Sequence, residues 1–155
     1  IDLIRNKIAP QIKDNDILLL IAGKMPHFKD KHNLKFLGFV DDLKTFLYAA
    51  NIAIVPVFRG SGVRVKMIDY LSAKIPMIST KQAILGLSFI NNKHGILVSE
   101  DEPIKDMIEK IYFLKNNPNK IEEFEKNITN LLEKEYNWDI ILDNLKREYL
   151  KILKK

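Results

Sequence analysis

Five short apolar runs, separated by longer stretches of helical periodicity, constrain this 155-residue chain more than any other feature. The runs cover residues 17–22, 34–37, 52–57, 77–79 and 95–98. Strands of this length alternating with amphipathic helices are the pattern of βαβ units, which build a parallel sheet. Ile52-Ala53-Ile54-Val55 is apolar at every position, so both of its faces are covered, as in a sheet with helices on each side. Between the runs, residues 43–50 read as a helix capped by Asp41 or Asp42, with Leu43, Phe46 and Leu47 inward. Residues 62–73, 104–116 and 118–135 read as further helices, and a last one runs from Trp138 toward Leu153. At the start, Ile4, Ile8 and Ile12 recur every fourth residue, the end of a helix that Pro10 bends or closes. The expectation is one α/β domain over residues 1–155, a Rossmann-like doubly wound parallel sheet, without internal repeat or linker. Ile1 begins abruptly within an element and is not Met, which reads as the start of a fragment.

Several function classes fall away on composition. With no cysteine there is no disulfide, no thiolate catalysis and no cysteine zinc site. Residues 17–22 form the longest apolar run, far short of the roughly 20 residues that cross a bilayer, and nothing at the N-terminus resembles a signal peptide. The expected compartment is cytoplasmic. The net charge of +5 suits an anionic ligand or an anionic membrane surface. Its basic residues are interspersed with acids, so charge alone assigns no partner.

Ligands of open α/β sheets bind beyond the C-terminal ends of the strands. Three loops fall there: Gly23-Lys24, Gly38-Phe39-Val40, and Phe58-Arg59-Gly60-Ser61-Gly62. In the third, two glycines let the backbone turn sharply and approach a ligand closely. The helix after it offers free N–H groups and a partial positive charge to an anion. At about 100° per residue, Val63, Met67, Ile68 and Leu71 form an apolar arc that includes Arg64 in the first turn. A guanidinium on that arc needs a partner, which a phosphate at the helix start would supply. Lys66 and Asp69 lie about 60° apart on another face. A purely structural reading competes: Ser61 as N-cap, Arg64 reaching back to Asp41 or Asp42, and Lys66 with Asp69 as a solvated pair. The motif is neither a Walker loop nor the dinucleotide Gly-x-Gly-x-x-Gly.

The order of blocks along the chain resembles the donor-binding half of family 4 (group 1) glycosyltransferases of the GT-B fold. The resemblance is carried by residues 36–43 (Phe-Leu-Gly-Phe-Val-Asp-Asp-Leu), Ile54-Val55-Pro56-Val57, and Gly60-Ser61-Gly62-Val63-Arg64-Val65-Lys66-Met67-Ile68-Asp69. Ile75-Pro76-Met77-Ile78-Ser79-Thr80, Gly86-Leu87, Gly95-Ile96-Leu97-Val98 and Tyr136-Asn137-Trp138 continue it in order.

That resemblance implies a retaining transferase with two Rossmann-like halves. The C-terminal half holds a nucleoside-diphosphate sugar, and the N-terminal half holds a glycan or lipid-linked acceptor. Carried over by position, Gly60, Ser61, Gly62, Val63, Arg64 and Lys66 meet the donor diphosphate, with backbone amides from Gly62 to Arg64 prominent. Asp69 binds the ribose; Gly23, Lys24, Gly38 and Val40 line the base and pocket wall. Ser61 stands where many relatives carry an acid aimed at the sugar, Asp69 is one methylene shorter than the usual Glu, and Lys74 replaces a small residue. The half's first strand, with the family's basic phosphate pair in the loop after it, is expected to lie outside this sequence, as is the acceptor half. The isolated domain is therefore expected to be inactive.

The implied partners are a UDP- or GDP-sugar and the acceptor half. A membrane surface is compatible with the Lys-rich tail (Lys146-Arg147 and residues 151–155), and no nucleic acid is expected. No Asp-x-Asp motif is present, so no metal or cofactor is expected, and no protein nucleophile is evident. The role implied is in polysaccharide biosynthesis. Two alternatives remain at this point: a non-catalytic nucleotide- or anion-binding module, and a nucleotide-sugar epimerase of GT-B-like architecture. His27, His32 and His94 lack metal-like companions and read as surface or loop residues. Ser79-Thr80-Lys81 reads as sugar-contacting or loop-capping, and Tyr136, Trp138 and Tyr149 as packing for the last helix.

Overall fold

The computed structural model describes residues 1–24, 28–31 and 33–153; His27 and His32 lie outside the described residues. Among the described residues are five strands, β1 (Leu19–Ala22), β2 (Leu34–Gly38), β3 (Ala53–Val55), β4 (Met77–Ser79) and β5 (Gly95–Leu97). Five α-helices accompany them: α1 (Leu43–Tyr48), α2 (Val65–Ser72), α3 (Pro103–Asn116), α4 (Pro118–Glu135) and α5 (Trp138–Leu153). β1 pairs parallel with β2, while β3, β4 and β5 form a second parallel sheet in that order.

Side-chain alternation along β4 sorts the core into two faces. Ile78 joins Ile8, Leu19, Leu34, Ile96, Met107, Ile111 and Phe124 on one side. Its neighbour Met77 joins Val55, Met67, Leu71, Ile128 and Leu131 on the other. One face is thus covered by the N-terminal segment and α3, the other by α1 and α2, with α4 reaching both. This is the doubly wound arrangement the apolar runs imply.

Local chemistry fixes most boundaries. Of the two candidate caps, Asp42 is used: its carboxylate accepts from the Thr45 N–H at 3.0 Å and the Thr45 hydroxyl at 2.6 Å. The Thr45 hydroxyl and then its N–H hold the Asp42 carboxyl below its ordinary value. Pro103 and Pro118 open α3 and α4, where a missing N–H costs nothing. α2 closes with Lys74 at φ 60°. The Lys74 N–H reaches the Leu71 carbonyl at 2.8 Å and the Ile75 N–H reaches Tyr70 at 2.9 Å. That pair of bonds is a Schellman closure built without the usual glycine.

Some expectations are corrected. The N-terminal isoleucines lie not on an α-helix but on a π-helical turn (Ile4–Ile8) followed by a 3-10 turn (Ala9–Gln11), with Ile12 extended beyond it. Pro10 has no N–H to continue an i→i−4 ladder, so the turn changes pitch there. Leu43 is exposed, whereas Leu47 is buried and Phe46 half-buried. Trp138 and Tyr149 do not pack: α5 has no buried residue, because it touches little beyond α4. Tyr136 does pack, joining the second core cluster and accepting a bond from the Ser88 N–H at 3.3 Å.

Candidate functional site

α2 starts at Val65, three residues later than the helix expected over residues 62–73. Gly60 and Gly62 take φ values of +117° and +80°, which L side chains rarely adopt. Arg64 is the residue before the helix, extended at φ −93°, ψ 109°. It therefore lies outside the helix, and its guanidinium is not held against the core by α2 as the apolar arc implies. Ser61 is exposed and is not the cap; no side chain caps α2.

The Arg64 guanidinium curls back onto its own loop. Its two terminal nitrogens donate to the carbonyls of Gly62 at 3.1 Å and Arg59 at 3.2 Å, not to Asp41 or Asp42. Gly60 makes room for it, since a Cβ there would stand 2.9 Å from a guanidinium nitrogen. The Gly60 carbonyl is taken by the Gln82 side-chain amide, and the Val57 carbonyl by the Thr80 hydroxyl. Among the described residues, none of the backbone N–H groups from Gly60 to Lys66 has a hydrogen-bond partner. The carbonyls of Arg59, Gly60 and Gly62 are thus taken by protein donors while the amides stay unpaired, the polarity of an anion-binding nest. Lys66 lies exposed in the first turn of α2 and Asp69 half-buried in the second, without an ion pair between them. Burial first, and the Asp69 charge second, push the Tyr70 phenol above its ordinary value.

Gly23, just past β1, and Gly38, the last residue of β2, have φ of +130° and +68°, and the Gly23 N–H donates to the Gly38 carbonyl at 2.7 Å. Lys24 is exposed and Val40 half-buried beside them. This corner and the Gly60 loop share no hydrogen bond or ion pair among the described residues.

The segment after β4 plays a part that motif reading divided differently. Thr80 is buried and braces the loop, Lys81 pairs with Glu100 at 3.2 Å, and the Ser79 hydroxyl is buried without a partner. Gln82 was not singled out by sequence, where nothing marks a lone glutamine as facing a carbonyl 22 positions earlier. His94 is no surface residue: it is 2% exposed, and its Nδ1 accepts the Ile90 N–H at 3.1 Å. Burial holds its pKa below the ordinary histidine value, with the Lys93 charge adding to the effect. No group of three or more His, Asp or Glu among the described residues is placed to hold a metal ion.

A parallel, doubly wound domain with a glycine turn leading into a helix is of the Rossmann-like class. The family pattern for Glycosyl transferases group 1 matches residues 1–117, and the chain belongs to that family. Its fold is similar to the C-terminal domain of a group 1 glycosyl transferase (LpcC) from Francisella tularensis. There the TM-score is 0.59 and the identity 18%, over 69% of this chain and 55% of that one. It is also similar to sucrose-phosphate synthase from Thermosynechococcus elongatus (TM-score 0.69, 19% identity, 88% of this chain and 38% of that one). A third likeness is to Anabaena HepE in complex with UDP (TM-score 0.67, 13% identity, 77% of this chain and 32% of that one). The chain therefore spans just over half the length of the first and about a third of the others. No match is found among curated protein sequences. The domain is the C-terminal, Rossmann-like half of a GT-B fold.

Proposed function

We propose that this domain binds the donor of a retaining glycosyltransferase, a UDP- or GDP-sugar, and that its diphosphate docks on Gly60, Ser61, Gly62, Val63, Arg64 and Lys66. The observation that carries the reading is the polarity of the loop: the carbonyls of Arg59, Gly60 and Gly62 are clasped by Arg64 and Gln82, and the seven amides from Gly60 to Lys66 are unpaired among the described residues. Such an array of free amides suits phosphate oxygens. Arg64 spends two of its five N–H groups on the clasp and keeps three for a ligand. As the sugar leaves, negative charge grows on the diphosphate, and preset amides, the start of α2, Arg64 and Lys66 stabilise it. Asp69 binds the ribose, and Gly23, Lys24, Gly38 and Val40 form the wall toward the base. The binding of UDP by HepE, a protein of the same fold, supports the choice of ligand class.

The reading includes an acceptor half and a first strand outside this sequence. The doubly wound order 3-2-1-4-5-6 sets one strand between those corresponding to β1 and β3, and these are the edges at which the two sheets stop. The acceptor is a glycan or a lipid-linked sugar, and transfer needs the acceptor half, so the domain alone binds without turnover.

Calorimetric titration with UDP, GDP and the parent nucleosides tests the proposal. Arg64→Ala weakens the diphosphates about ten- to a hundredfold, as loss of charge-assisted bonds worth about 1.5–3 kcal/mol implies, and leaves the nucleosides unchanged. Equal diphosphate affinity in the variant sinks the anion-site assignment.

A further inference from the structure

We infer that Gln82 is a positioning residue that sets the Gly60–Ser61 peptide so that the Ser61 N–H faces the donor; this rests on the diphosphate reading above. A trans peptide is planar, with its C=O and N–H pointing in opposite directions. Whatever holds the carbonyl on one side therefore aims the next residue's amide to the other. Arg64 does this for two peptides: the Arg59 carbonyl sets the Gly60 N–H, and the Gly62 carbonyl sets the Val63 N–H. Of the two peptides between them, the first, Gly60–Ser61, is out of its hands. Gln82 takes that one through the Gly60 carbonyl.

The Gly60–Ser61 peptide needs an outside hold more than its neighbours. It begins at a glycine with φ +117° and is followed by another at +80°, residues whose broad conformational freedom makes a peptide flip inexpensive. A flip would turn the Gly60 oxygen toward the anion and replace attraction with repulsion. Gln82 is suited to prevent it because its own backbone is fixed. It sits in the 3-10 turn Lys81–Ile84, between buried Thr80, which holds the Val57 carbonyl, and fully buried Ala83. Farther along, Gly86 at φ +81° lies flat against Val63, where a Cβ would meet the Val63 side chain at 2.6 Å. The segment from Thr80 to Gly86 thus touches the loop at its start, middle and end, and β4 anchors it.

The test compares the protein with its Gln82→Met variant, which keeps the bulk and loses the donor. Two readouts are taken: ¹⁵N relaxation of the Ser61 amide without ligand, and titration with UDP, GDP and the nucleosides. In the native protein the Ser61 amide is as ordered as a rigid backbone, with an order parameter of about 0.85, and in the variant it falls below about 0.6. Diphosphate affinity drops about 3- to 10-fold, the range a single neutral hydrogen bond supports, while nucleoside affinity holds. A Ser61 amide already mobile in the native protein, or equally rigid in the variant, overturns the inference, as does unchanged diphosphate affinity. If the native protein binds no diphosphate, the donor reading fails; the Ser61 amide still decides whether Gln82 sets the peptide.

Discussion

Residues 75–80 and α5 are both rich in apolar side chains, and the fold treats them oppositely. Every residue from Ile75 to Thr80 is buried, whereas none of the 16 residues of α5 is. The difference lies in neighbours rather than in hydrophobicity. β4 is hydrogen-bonded on both edges, to β3 and β5, and its two faces feed the two core clusters. α5 carries Ile141, Leu142, Leu145, Tyr149 and Ile152 along its length but meets only α4 to any extent. The candidate site belongs to the first regime. Its loop is exposed, yet it is tied through Thr80, Gln82 and Gly86 to the most deeply buried strand of the domain.

The comparison breaks most easily at Gly95. A Cβ there would stand 2.2 Å from the Met77 carbonyl oxygen, a backbone atom of the neighbouring strand, and φ is +144°. Gly95→Ala therefore prises β5 from β4 and destabilises the protein by about 3 kcal/mol or more, read by urea denaturation. A loss below about 1 kcal/mol would mean that β4 is not the rigid anchor described. At the other extreme, Trp138→Ser and Ile152→Ser, at 73% and 68% exposure, change stability by less than about 0.5 kcal/mol in the same assay. A loss above about 1.5 kcal/mol from either would show that the outer face of α5 is covered in solution.

Much of the fold is legible in the sequence because its signals are local. The apolar runs locate all five strands, Pro118 and Trp138 mark the starts of α4 and α5, and one of two adjacent aspartates caps α1. What escapes is set by distant partners. α2 begins only at Val65, and a 100° count begun at Gly62 assigns Arg64 to a helix it does not enter. The glycines mark the loop as a candidate anion site, but they do not show the orientation of its peptides. His94 lies in the loop before Gly95, as expected, but it is buried there, with its Nδ1 accepting the Ile90 N–H. Trp138 and Tyr149 carry the composition of packing residues, and only the absence of a facing element shows that they do not pack.

The central claim is that the amides from Gly60 to Lys66 receive the diphosphate of the donor. A ¹H–¹⁵N titration with UDP and GDP, run against the parent nucleosides, addresses it residue by residue. With diphosphate the largest shifts fall on Gly60, Ser61, Gly62, Val63 and Arg64, and the nucleosides leave these signals in place. Saturable diphosphate binding whose shifts map elsewhere, for instance to the hollow lined by Asn91, Asn92, Asp106 and Lys110, with the Gly60 loop unmoved, would contradict the account.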